Sequence, residues 1–181
     1  SIVERAEKEL RRLLKEDEEV SDRVRKEVKR LLKEDKEILD DVRRRIEKIL
    51  REIEEVARRG EDKRAIRKLV EELKRVIDKA VEESRDSVRR IKDLLDKALR
   101  ESEETVRRIK TLADDLLRKV DREDVRRIIK EIKERVKKSL DESREIIERA
   151  KREVDKSLEE SKKVAEDAKR RIERLLREVE R

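Results

Sequence analysis

Asp17 and Asp35 stand eighteen residues apart, each where the hydrophobic rhythm of the chain calls for an apolar side chain. The phrases that carry them repeat: LLKEDEEVSD occupies 13–22 and LLKEDKEILD occupies 31–40. Ser84, Ser102, Ser143 and Ser161 interrupt the same rhythm further on, with Ser21, Ser87, Thr105, Ser139 and Ser157 beside them. A carboxylate near hydroxyls could do three kinds of chemistry. A serine could act as a nucleophile, the oxygens could hold a cation, or the groups could bond to one another inside a core. The first needs a base that can take the hydroxyl proton, and the chain has no His and no Lys in the seam. The remaining carboxylates are surface residues with no cleft to pair them, so no catalytic residue and no enzyme activity is expected. A Ca²⁺ site needs about six to eight oxygens, and one carboxylate is too few. The third possibility depends on what the rest of the sequence builds.

Charged residues make up 60% of the 181 positions, and aliphatics with Ala supply the whole 33% apolar share. There is no Phe, Trp, Tyr, Met, Cys, His or Pro, and one Gly. Low hydrophobicity with high charge also marks disorder, but disordered chains are rich in Pro, Gly, Ser or Gln. This one is rich in Glu, Lys, Arg and Leu, which favour helix. Without Cys or His there is no disulfide, thiolate or zinc site, so no metal or cofactor is expected. Without aromatics there is no platform for stacking bases or sugars. The excess of 58 basic over 51 acidic residues gives +7, with the signs interleaved throughout. The longest basic runs, Arg43-Arg44-Arg45 and Lys169-Arg170-Arg171, are single helical turns. They read as solvated faces, and no nucleic-acid partner is expected. No apolar run exceeds two residues, so neither a membrane span nor a signal-peptide core is expected. The expectation is a soluble chain without a targeting signal, compatible with cytoplasmic expression.

Two places break the pattern. Gly60 follows Ala57-Arg58-Arg59, where a left-handed cap is wanted, and Asp62 can start the next helix. At Val120-Asp121-Arg122-Glu123-Asp124, Asp121 is a candidate N-cap, and two acidic residues follow it into the first turn. The spacing predicts helices over about 2–59, 62–119 and 122–180. The first seam runs Ile2, Ala6, Leu10, Leu13, Asp17, Val20, Val24, Val28, Leu31, Asp35, Ile38, Val42, Ile46, Ile49, Ile53, Val56. Its steps of 4, 4, 3, 4 and 3 repeat every eighteen residues, five turns at 3.60 residues per turn. In the other helices Leu73, Ile91 and Ile109, and Leu140, Leu158 and Leu176, keep the same spacing. Heptads, at a period near 3.5, impose a left-handed supercoil, whereas a period of 3.6 keeps a seam on one face of an unstrained helix. The fold class is therefore all-α: an up-down-up antiparallel three-helix bundle of long, nearly untwisted helices, a single domain over 1–181. The short connections favour antiparallel neighbours. One inward stripe per helix leaves no second apolar face, so a monomer without partners is expected.

The whole chain resembles de novo designed, parametrically generated three-helix bundles. The resemblance rests on three equal segments, the eighteen-residue five-turn ladder, the missing Cys, Met and aromatics, and the Lys/Arg/Glu/Asp surface. It implies a very stable single-chain scaffold with no native biochemical activity. The alternative is a rod-like helical module that binds or spaces a partner protein, and a third is a conditionally helical protectant. Spectrin-like repeats are similar in outline but use heptads and aromatic core residues.

In such a bundle the polar seam residues converge at two heights. Asp17 lies level with Thr105 and Ser139, with Ser21, Ser102 and Ser143 one turn away. Asp35 lies level with Ser87 and Ser157, with Ser84 and Ser161 one turn away. The third copy of the repeat is apolar (Ile53, Ile66, Leu69, Leu175, Val179). The expectation is two buried hydrogen-bond layers, in which hydroxyls from the other two helices donate to each carboxylate. In the competing arrangement both Asp residues sit at the seam edge facing water. The serines then bond their own i−4 carbonyls.

Overall fold

The computed structural model describes residues 2–60 and 62–180. Almost all of them lie in three helices: α1 (Ile2–Arg58), α2 (Lys63–Lys119) and α3 (Glu123–Glu180). Among the described residues there is no strand. Glu61 of the first break and the side chain of Ile2, the first seam position, lie outside the described residues and side chains.

Gly60 ends α1 with φ +67°, the left-handed region where a Cβ is strained. The Gly60 N–H donates to the Ala57 carbonyl at 3.3 Å, and the Arg59 N–H to Glu55 at 3.1 Å. Asp62 caps α2. Its carboxylate accepts from the Arg64 N–H at 3.3 Å, and its carbonyl from the Ala65 N–H at 3.0 Å. The second connection differs from the sequence expectation. The first backbone bond of α3 runs from the Arg126 N–H to the Arg122 carbonyl at 3.1 Å, so Arg122, not Asp121, holds the N-cap position. The acidic pair Glu123 and Asp124 in the first turn already complements the helix dipole. The Arg126 guanidinium reaches back to the end of α2 and donates to the carbonyls of Leu117 at 2.9 Å and Val120 at 3.3 Å.

The chain forms two compact units, Ser1–Lys29 with Lys92–Arg152, and Arg30–Ile91 with Glu153–Arg181. Each takes one stretch of all three helices. In the first unit, bonds from Asp17 to Ser139 and from Ser21 to Ser143 advance together, so α1 and α3 run parallel. The ion pairs Lys133–Asp114 and Arg144–Glu103 advance in opposite senses, so α2 and α3 run antiparallel. In the second unit Asp35–Ser157 and Glu47–Arg171 give the parallel pair, and Ser84–Ser161 with Asp78–Lys169 the antiparallel one. The architecture is an up-down-up three-helix bundle.

Each unit has its own aliphatic core. Leu10, Ile109 and Val136 are fully buried in the first, and Leu50, Leu73 and Ile77 in the second. Each fully buried side chain of this size stabilises the fold by roughly 1.5–3 kcal/mol. One seam position is corrected. Ile38 is 50% exposed, and Leu39 is buried in its place at 7%. At about 100° per residue, the position four after Asp35 returns closer to its direction than the position three after it. Leu39 therefore takes the inward place.

Candidate functional site: two polar layers

The first unit buries Asp17 to 1% exposure. Its two oxygens are served by the other two helices. Ser102 Oγ of α2 donates to Oδ1 at 2.9 Å, and Ser139 Oγ of α3 donates to Oδ2 at 2.9 Å. One turn along, Ser21 Oγ and Ser143 Oγ share a hydrogen bond of 3.0 Å between α1 and α3. Thr105, expected level with Asp17, donates instead to the Glu101 carbonyl of its own helix at 3.0 Å. The turn at Gly60 sets the level of α2 against α1. Seam positions recur only every three or four residues, so a small error in that level moves the partner by one turn, here from Thr105 to Ser102.

In the second unit Asp35 is 5% exposed. Ser157 Oγ donates to its Oδ2. Ser84, eighteen residues from Ser102, does not repeat that residue's role. It donates to Ser161 Oγ at 3.1 Å, and Ser161 donates to the Ser157 carbonyl at 3.1 Å. Ser87 is half-buried and makes no hydrogen bond to Asp35.

A small cavity adjoins each layer. In the first unit it measures about 10 Å³, with Ser21, Ala98, Ser102, Ser143 and Ile147 in its wall. Beside Asp35 it measures about 20 Å³, with Asp35, Leu39, Ala80, Ser84, Ser161 and Ala165 in its wall. These are equivalent places in the repeat, eighteen residues apart on every helix.

The chemistry open to such layers is narrow. An ionised Asp only accepts hydrogen bonds. A carboxylate is too weak a base to ionise a serine. Among the described residues no group of three or more acidic side chains could hold a metal ion. None of the helices is apolar enough to cross a membrane.

On the surface, ion pairs between α2 and α3 follow the same eighteen-residue repeat. Asp114 meets Lys133 and Asp96 meets Lys151 in the first unit, and Asp78 meets Lys169 in the second. Hydrogen bonds from these lysines hold the Asp96 and Asp114 carboxyls below the ordinary carboxylate range, against a smaller opposing effect of desolvation. The sequence reading missed these pairs, although the matched Asp and Lys spacings were there to be read.

No protein-family model matches the sequence, and no curated protein matches it. A solved structure described as a computationally designed three helix bundle superimposes with a TM-score of 0.69. The match covers 98% of this chain and 93% of the other. The fold is that of a three-helix bundle. At 16% sequence identity the likeness concerns the fold alone.

Proposed function

We propose that this chain is a designed structural scaffold with no native biochemical activity, and that its two polar layers serve to fix helix register. One observation carries this reading. A buried Asp recurs after eighteen residues with serine donors from neighbouring helices, inside an otherwise aliphatic seam. A slip of two helical turns would set Asp17 against Leu95 or Ile109 of α2 and Ile132 or Ile146 of α3, and strand a carboxylate. His and Cys, which serve many catalytic and zinc sites, and the aromatics that stack on bases are missing from the composition. The fold likeness to a computationally designed bundle supports the same reading.

As a scaffold the chain folds alone and remains a monomer, because each helix spends its single apolar stripe on the interior. Among the described residues Ile38 and Leu94 are large apolar side chains that stand exposed, and scattered single residues of this kind are normal on a protein surface. Sedimentation equilibrium at low micromolar concentration, with circular dichroism in plain buffer, tests this. The expected result is a strongly helical species at the chain mass of 22.0 kDa. A persistent species of twice that mass, or a largely coiled chain, would contradict it.

A further inference from the structure

We infer that the Asp35 layer binds one ordered water molecule, held between the Asp35 carboxylate and the Ser84–Ser161 pair, and that the Asp17 layer is dry. Asp35 is buried to 5% exposure and, among the described residues, takes one donor, Ser157, on Oδ2. Its other oxygen belongs to a residue lining a cavity of about 20 Å³, which Ser84 and Ser161 also line. Holding a water takes roughly 10–15 Å³ and two to four polar partners. This cavity meets both conditions. The water donates one proton to Asp35 Oδ1 and the other to the free lone pair of Ser84 Oγ, whose own proton is committed to Ser161. The Asp35 oxygen opposite the one that Ser157 serves thereby gains a donor.

The equivalent place in the first unit is less suited, at the bottom of that range and with hydroxyls but no carboxylate in its wall. The cavity there is about 10 Å³. Ile147 fills the position that Ala165 holds in the second unit, which accounts for part of the lost volume. Both Asp17 oxygens already have hydroxyl donors. The two cavities thus form a matched pair, with the same fold position and the same two serines on α2 and α3. They differ in volume and in whether the carboxylate still needs a donor.

Alanine methyl groups report on both places, since Ala80 and Ala165 line one cavity and Ala98 lines the other. Water-selective NOE measurement on the full chain with labelled Ala methyls should give cross-peaks of a long-lived water at Ala80 and Ala165. None should appear at Ala98. Hydroxyl protons exchanging with solvent could relay such a signal, but serines line both cavities, so a relay would also mark Ala98. The substitution Ala165→Ile, which copies the residue of the first unit, should abolish the Ala80 cross-peak. Absence of cross-peaks at Ala80 and Ala165 would overturn the inference. Equal cross-peaks at Ala98, or an Ala80 signal that survives Ala165→Ile, would overturn it as well. The wild-type comparison decides the matter alone if the variant does not fold.

Discussion

The layer at Asp17 and the layer at Asp35 occupy equivalent positions eighteen residues apart, yet the first closes on itself and the second does not. The difference in hydrogen bonding follows a change on α1. Ser21 in the first unit becomes Leu39 in the second. Where Ser21 is present, it supplies the hydrogen-bond partner of Ser143, and Ser102 is left to donate to Asp17. Where Leu39 stands, Ser161 has no hydroxyl neighbour on α1. Ser84 turns to Ser161 instead, and Asp35 keeps Ser157 alone. The hydrogen bonding of a buried carboxylate is thus decided partly by a residue that does not bond to it, through competition for a shared hydroxyl.

The largest effect is expected from removing both donors of the closed layer. Ser102→Ala with Ser139→Ala strands a fully buried carboxylate and should lower stability by about 3 kcal/mol. Guanidinium denaturation is the measurement, because a bundle of this length is expected to resist heat.

A smaller effect is expected from Ser21→Leu, which gives the first unit the residue of the second. Ser102 should turn from Asp17 to Ser143, leaving Asp17 one donor, and stability should fall by about 1 kcal/mol. A crystal structure of the variant should show Ser102 Oγ on Ser143. Ser102 still donating to Asp17 would break the competition account.

Smaller again is Thr105→Val combined with Ser87→Ala. Neither hydroxyl bonds an Asp, so the denaturation midpoint should move by no more than about 0.5 kcal/mol equivalent.

The smallest effect belongs to the surface. Asp96 and Asp114 are held below the ordinary value of 3.8 by their lysine hydrogen bonds. A carboxylate with a lowered folded pKa contributes stability above its unfolded pKa and loses it as pH falls through the folded value. Lys151→Gln with Lys133→Gln should therefore flatten the acid limb of the stability profile slightly and leave it unchanged below both pKa values. These groups are exposed, so screening keeps the difference far below that of the buried layer.

Much of this was legible in the sequence, for reasons particular to the chain. The eighteen-residue ladder placed three helices to within a few residues, because an aliphatic stripe at the period of an unstrained helix has few other meanings. Gly60 and Asp62 marked the first turn, since each does something few other residues do there. Asp17, Asp35 and their serines stood out because a seam of Leu, Ile and Val tolerates a carboxylate only with partners. The legible part ended at one helical turn. Whether Thr105 or Ser102 meets Asp17 depends on a shift of α2 against α1 that seam spacing does not resolve. Whether Leu39 or Ile38 turns inward depends on a helix rotation of a few tens of degrees. The divergence of the two layers depends on competition among hydroxyls, which requires the positions of all three helices at once.

The central claim is that Asp17 and its two serines act as a unit, and a double-mutant cycle tests it most directly. Ser102→Ala with Ser139→Ala is measured once in the native background and once with Asp17→Leu. The account predicts a loss of about 3 kcal/mol in the first background and no loss, or a gain, in the second, since apolar replacement of a whole buried polar group is often neutral or stabilising. Equal cost in both backgrounds would show that the serines do not serve Asp17, and that the layer does not exist as a unit.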